Sequence, residues 1–236
     1  MVSLPCLYAI VDAAFFPSTA ELIAFAESLV AGGCRLLQYR NKSGNTRVML
    51  EQAREVKRRV GTRSHFSQNR GEVGHPSGIP PFENREGWGS LDRSPIRLVM
   101  NDRADLCMMA GFDGVHVGQD DLSPESVRKI IGPDRWLGVS THNPEQVAEA
   151  DQTSADYLAI GPVFATSSKD KPDPVVGIEG VRRARQLTRK PLVAIGGITR
   201  ANAASVIEAG ADSVAVISDL LRVPRKSAEE FFRILG

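Results

Sequence analysis

The chain has 236 residues, 42% of them hydrophobic, and its 29 basic against 28 acidic residues leave a formal net charge of +1. That length and apolar content suit one α/β barrel forming a single domain over 1–236. The near-neutral balance excludes a global field that would draw nucleic acid or an anionic membrane, so any anion site has to be local.

Along the chain, short apolar runs alternate with amphipathic stretches. Strands are predicted over 6–11, 34–39, 97–100, 114–117, 136–140, 157–160, 191–195 and 213–217. The first helix is predicted over 18–30, where Ser18 and Glu21 form a capping-box signature and Leu22, Phe25, Ala26, Leu29 and Val30 make one apolar face. A phrase recurs where helices give way to strands: Ala31-Gly32-Gly33-Cys34, Ala110-Gly111-Phe112-Asp113-Gly114-Val115 and Ala209-Gly210-Ala211-Asp212-Ser213-Val214. Each copy offers a glycine for the left-handed position that ends a helix, then turns into a buried parallel strand. Repetition of this module favours a closed (β/α)8 TIM barrel over an open sheet.

Between the second helix and the third strand, 62–95 is rich in Gly, Pro, Ser, Asn and Arg and has no sustained period. It is predicted to be a flexible surface insertion, with Phe82 and Trp88 as its large apolar groups. Cys6, Cys34 and Cys107 are odd in number and far apart, which reads as reduced thiols. No basic stretch followed by an apolar one opens the sequence and no apolar run is long enough to span a membrane, so the expected location is cytoplasmic.

In such a barrel the reactive groups belong at the C-terminal ends of the strands and in the loops that follow. After the second predicted strand, Gln38-Tyr39-Arg40-Asn41-Lys42 alternates so that Gln38, Arg40 and Lys42 share one side, although a solvated strand end would look the same. After the third, Asn101-Asp102 either caps a helix or faces the pocket. After the fourth, His116-Val117-Gly118-Gln119-Asp120-Asp121 ends in adjacent carboxylates that could simply open a helix. Yet Asp102 and Asp121 follow neighbouring strands, and over one barrel mouth two hard oxygen donors suit Mg²⁺ that completes its shell with water and substrate phosphates. His116, within a strand, is expected to be a packed barrel histidine, and no His/Cys cluster supports zinc.

After the fifth and sixth strands come Ser140-Thr141-His142 and Gly161-Pro162-Val163-Phe164-Ala165-Thr166-Ser167-Ser168-Lys169, hydroxyls and a lysine of the kind that meet oxyanions. After the seventh and eighth come Ile195-Gly196-Gly197-Ile198 and Ile217-Ser218, where glycine lets backbone N–H groups approach an anion and where phosphate-binding barrels hold phosphate.

Together with Leu7-Tyr8-Ala9-Ile10-Val11-Asp12, these ordered motifs make the chain resemble the thiamine-phosphate synthase family over nearly its whole length outside 62–95. The resemblance implies a Mg²⁺-dependent transferase that joins a hydroxymethylpyrimidine diphosphate to a thiazole phosphate. The products would be thiamine phosphate, diphosphate and, from a carboxylated thiazole, CO2. It implies that Gln38, Arg40, Lys42, Asn101, Ser140 and Lys169, with Tyr39 and Asn41 in the same segment, hold the pyrimidine diphosphate. Asp102 and Asp121 would hold Mg²⁺, and Thr166, Ser167, Ser168, Gly197, Ile217 and Ser218 the thiazole phosphate. Arg40, Lys42 and Lys169 would be the catalytic cations. Ser168 stands where the family commonly has a second threonine, which keeps the hydroxyl. The implied partners are these small molecules, with a homo-oligomer left open and no nucleic acid or membrane.

Such chemistry needs no protein nucleophile, because the electron-rich pyrimidine can carry the cation left by departing diphosphate; Ser140 is therefore expected to position ligand. Three other readings compete. A thiazole tautomerase of the same superfamily, working through His142, would not need Gln38, Arg40, Lys42, Asp102 and Asp121 together. A non-catalytic sensor of thiamine precursors would tolerate loss of the two carboxylates. A phosphate-barrel isomerase should show an acid/base pair where this chain has cations and hydroxyls.

Overall fold

The computed structural model describes residues 2–61, 95–166 and 173–236. The insertion predicted over 62–95 therefore lies, apart from Pro95, outside the described residues, as do Ser167, Ser168 and Lys169. The chain opens with β1 (Leu7–Asp12), α1 (Thr19–Ala31), β2 (Leu36–Arg40) and α2 (Thr46–Val56). It continues through β3 (Arg97–Asn101), α3 (Ala104–Ala110), β4 (Gly114–Val117), α4 (Pro124–Ile131), β5 (Trp136–Thr141) and α5 (Pro144–Asp151). It ends with β6 (Tyr157–Ile160), α6 (Gly177–Leu187), β7 (Leu192–Ile195), α7 (Ala203–Glu208), β8 (Ser213–Val216) and α8 (Pro224–Leu235). Each strand pairs in parallel with the next, and β8 returns to β1 through Leu7↔Val214 and Ala9↔Val216, closing the eight-stranded TIM barrel. No helix among the described residues is long and apolar enough to cross a membrane.

The recurring phrase has a common geometry. After α1, Gly33 takes φ 98°, and its N–H and that of Cys34 donate back to the carbonyls of Val30 and Leu29. Gly111–Phe112 and Gly210–Ala211 close α3 and α7 in the same way, with the glycines at φ 67° and 110°. This double bond satisfies helix-end carbonyls that would otherwise be orphaned, and it drops the next residue into the core: Cys34, Phe112 and Ala211 are all buried. It also explains why β2 starts at Leu36, two residues later than predicted, since Cys34 still belongs to the helix cap. Ser18 caps α1 as expected, accepting from Glu21 N–H at 3.3 Å while its hydroxyl donates to the Glu21 carboxylate at 3.0 Å.

The aspartate of the phrase has its own task at the floor of the barrel. Asp113 N–H donates to Leu98 O at 2.8 Å, and its carboxylate accepts from Leu98 N–H at 2.9 Å and from Lys57 at 3.2 Å. Asp212 repeats this with Leu192 N–H at 2.7 Å and Arg185 at 2.9 Å. Asp156 does so with Leu137 N–H at 2.8 Å and Arg128 at 2.7 Å. One carboxylate thus ends the ladder of the preceding strand and ties it to a helix cation.

Most apolar side chains lie between barrel and helices, while Tyr8, Ile10, Leu36, Val99, Tyr157, Ala159, Val193 and Ala215 form a separate cluster inside it. The three cysteines are unpaired, and burial pushes the Cys34 thiol up to about 11 and the Cys107 thiol to about 12, which leaves both chemically quiet. Replacing Asp156 by Ala leaves Leu137 N–H without its acceptor and takes the carboxylate from Arg128, which keeps its bonds to the Gly132, Arg135 and Ser154 carbonyls, and is expected to lower stability by about 2 kcal/mol. Asp156→Asn, which keeps an acceptor for the N–H, should cost less, and urea denaturation of the two variants checks the order.

Candidate active site

The pleat decides which residues of each strand can meet a ligand. From β2, Gln38 and Arg40 point inward and, with Lys42, line a cavity of about 530 Å³. Tyr39 and Asn41 go the opposite way. The Tyr39 hydroxyl donates to Gln52 Oε1 on α2 at 2.7 Å, the Asn41 amide donates to the same oxygen at 2.9 Å, and Asn41 Oδ1 accepts from Ser43 N–H. The segment 38–42 therefore divides: alternate residues face the cavity, and Tyr39 and Asn41, assigned to the pyrimidine diphosphate from the resemblance, instead anchor the strand end to α2.

The two cations are held differently. Arg40 pairs with Asp12, which is almost fully buried and also accepts from Ala14 N–H at 3.1 Å. A guanidinium locked on a buried carboxylate has little freedom, so Arg40 is fixed in place. Lys42 is 55% exposed and reaches Asp102 at 2.5 Å. Asp102 has φ 60°, unusual for a non-glycine residue, and its N–H donates to His116 O at 2.8 Å. It caps nothing: the residue flanking α3 is Arg103, and no side chain caps that helix. Asp121 is likewise no helix opener, since α4 starts at Pro124 behind Ser123, and the Asp121 carboxylate accepts from Gly118 N–H at 2.7 Å.

Asp102 and Asp121 line the same cavity, near enough for Asp121 to act on Asp102. Burial pushes the Asp102 carboxyl above the usual carboxylate range; Asp121 adds to the rise, and Lys42 opposes it. Two like charges brought together beside one lysine form a locus that favours cations. Among the described residues no group of three or more His, Cys, Asp or Glu could hold a metal ion.

Across the mouth, Ser140, Thr166, Gly197, Ile217 and Ser218 line the same cavity, as does Asn101. Gly196 and Gly197 both have positive φ, 99° and 63°. A Cβ at 197 would fall 2.5 Å from Ala165 O, and one at 196 would fall 2.6 Å from Pro162 Cα. The glycines thus serve first to let the loop after β6 pack on the loop after β7, where Phe164 N–H donates to Gly196 O at 3.0 Å. This is a different need from the backbone approach to an anion that the motif suggested.

His116 is packed in the barrel as expected, but it also lines the cavity. Its Nε2 is 2.8 Å from Ser140 Oγ and its Nδ1 3.1 Å from the Tyr157 hydroxyl. Tyr8, Gln119, Gln146 and Asp173 also line the cavity and were missed from the sequence. Alternation within 7–12 could have found Tyr8; the other three sit in or beyond loops whose course no period reveals. His142 Nδ1 lies 2.6 Å from Gly161 O and so carries the proton there.

Burial pulls the His116 pKa down from 6.5 to about 4. The unfolded chain therefore binds more protons between those values. Stability is full above about pH 6.5 and falls as pH drops towards 4, by up to roughly 3 kcal/mol. Urea midpoints measured from neutral pH downward should show this loss, and His116→Gln should flatten it.

The family model described as thiamine monophosphate synthase matches residues 88–220. A thiamine-phosphate synthase of Koribacter versatilis (strain Ellin345) is 54% identical over 237 residues, covering 99% of this chain and 97% of the relative. One from Chloroflexus aurantiacus is 37% identical over 212 residues, covering 90% and 83%. The solved thiamine phosphate pyrophosphorylase from Pyrococcus furiosus superposes with a TM-score of 0.72 at 28% identity, covering 97% of this chain and 94% of its own. Motifs, closed barrel and relatives agree: the chain belongs to the thiamine monophosphate synthase family.

Proposed function

We propose that this cavity runs the thiamine-phosphate synthase reaction, transferring a pyrimidinylmethyl group from its diphosphate to the ring nitrogen of a thiazole phosphate, with loss of CO2 when the thiazole is carboxylated. The observation that carries the reading is the convergence of Arg40, Lys42 and the Asp102–Asp121 pair on one side of a mouth whose other side is Gly197, Ile217 and Ser218. Two phosphorylated molecules need two anion sites, and the cations on one side with the glycine backbone and serine hydroxyl on the other would supply them.

Breaking the carbon–oxygen bond gathers negative charge on the leaving diphosphate. Arg40, fixed by Asp12, is preorganised to receive that charge, so its stabilisation grows with bond cleavage and requires little rearrangement. Lys42 would leave Asp102 for the phosphate oxygens once the carboxylates take a cation, and Lys169 would join them. The donor set fits Mg²⁺: two hard carboxylate oxygens facing one cavity, positions left for water and phosphate, and an Asp102 whose charged form burial disfavours and a cation would favour. When bound, Mg²⁺ supplies Lewis-acid neutralisation of the diphosphate. Ser140, Asn101 and Gln38 would orient the pyrimidine diphosphate, while Thr166, Ser167, Ser168, Gly197, Ile217 and Ser218 would anchor the thiazole phosphate.

Ser140 and His116 are within hydrogen-bonding distance, the geometry of an activated nucleophile. A covalent role is nevertheless disfavoured. An imidazole whose pKa lies near 4 is a weak base, and its second nitrogen meets a tyrosine hydroxyl where a carboxylate would be needed to raise it.

With both substrates and Mg²⁺, diphosphate and thiamine phosphate should form together; omitting either substrate or adding EDTA should abolish both. Asp121→Asn is expected to lower kcat about 100-fold. Tight thiazole-phosphate binding without diphosphate release, or full activity in EDTA, would overturn the proposal.

A further inference from the structure

Five side chains cross the barrel interior in one unbroken hydrogen-bond chain. Gln38 Nε2 donates to the Tyr8 hydroxyl at 2.8 Å, and the Tyr8 and Tyr157 hydroxyls are 3.1 Å apart. Tyr157 is 3.1 Å from His116 Nδ1, and His116 Nε2 is 2.8 Å from Ser140 Oγ. Tyr8, Tyr157 and His116 are buried; Tyr157 is the one member that does not line the cavity, and the two ends, Gln38 and Ser140, both do. Space for the middle of the chain exists because position 138 has no side chain: a Cβ there would fall 2.1 Å from Tyr157 Cζ and 2.4 Å from His116 Nδ1.

Each tyrosine has one hydroxyl hydrogen and a neutral imidazole has one N–H, so when every hydrogen is spent within the chain the direction of donation is a single two-way choice. His116 is buried with a hydroxyl at each ring nitrogen, surroundings that favour the neutral imidazole. With Gln38 donating, Tyr8 passes its hydrogen to Tyr157, and Tyr157 passes its own to Nδ1 of His116. The imidazole proton then sits on Nε2 and goes to Ser140 Oγ, and the serine hydrogen is left to turn into the cavity. The opposite direction would spend the Ser140 hydrogen on His116 and face lone pairs towards any anion.

We propose that Tyr8, Tyr157 and His116 are positioning residues whose one-way hydrogen-bond chain couples Gln38 to Ser140 and makes the Ser140 hydroxyl an obligate donor to the substrate diphosphate. The diphosphate rests on the function proposed above; the direction of the chain does not. Satisfying every member of a buried polar network rigidifies it, and here the rigidity reaches the two cavity-facing ends.

Two measurements test the inference. In protein labelled with ¹⁵N-histidine, with the His116 signals assigned by their loss in His116→Gln, two-bond proton–nitrogen correlations read the tautomer. The expected form is Nε2–H. Gln38→Glu, recorded at pH 9 so that the introduced carboxylate only accepts, should move the proton to Nδ1, and should not do so in a Tyr157→Phe background. The second measurement is a double-mutant cycle on KM for the pyrimidine diphosphate. Ser140→Ala should raise KM about tenfold in the otherwise native chain and less than about threefold once Tyr157→Phe has cut the chain, corresponding to one hydrogen bond. Tyr8→Phe cuts the chain elsewhere and replaces Tyr157→Phe if the latter fails to fold. A native imidazole protonated on Nδ1, or equal Ser140→Ala effects in both backgrounds, overturns the inference. No diphosphate turnover at all, with the Nε2–H tautomer and its reversal intact, would instead sink the proposed function and leave the chain standing.

Discussion

Closure of the sheet is the constraint from which the rest follows. Once β8 pairs with β1, every strand has two neighbours and the pleat has only two destinations, the axis and the helix layer. A residue pointing to the axis meets residues from all other strands, so polar side chains placed at alternate positions on separate strands are gathered into one space. Gln38, Asn101, His116 and Ser140 belong to four consecutive strands, β2 to β5, and line one cavity. The same parity sends Tyr39 to α2, where its hydroxyl still finds a partner in Gln52.

The two ends of the barrel use charge in opposite ways. At the floor, Asp113, Asp156 and Asp212 each satisfy a strand N–H and a helix cation, so their charges are committed to holding elements together. At the mouth, Asp102 and Asp121 are set against each other, and a half-exposed lysine pairs with Asp102. Matched carboxylates give stability and mismatched ones keep binding capacity in reserve, which is why the floor reads as scaffold and the mouth as site.

Arg40 and Lys42 show how local context divides similar charges. Arg40 follows the pleat inward onto the buried Asp12 and is immobilised; Lys42, two residues on and past the end of the strand, keeps most of its exposure. A fixed cation beside a more exposed one suits a reaction in which a leaving group must be bound and then released.

How far the sequence reaches is clear from individual elements. The eight strands, the α1 cap and the three glycine-ended helices were legible because each depends on contacts within a few residues: period, capping hydroxyl, left-handed turn. Side-chain parity within β2 was legible for the same reason. The choice between a capping and a cavity-facing Asp102 was not, because it depends on where α3 begins, and that is set by the bond from Asp102 N–H to His116 O on the neighbouring strand. Nor was the reason for Gly196 and Gly197, which lies in another loop's Pro162 and Ala165. The chain linking Gln38 to Ser140 joins residues 30 and 149 positions apart by single hydrogen bonds. Local chemistry thus determines the elements and the inward or outward sense of each residue, whereas partners across the barrel exist only after closure brings distant strands to one axis.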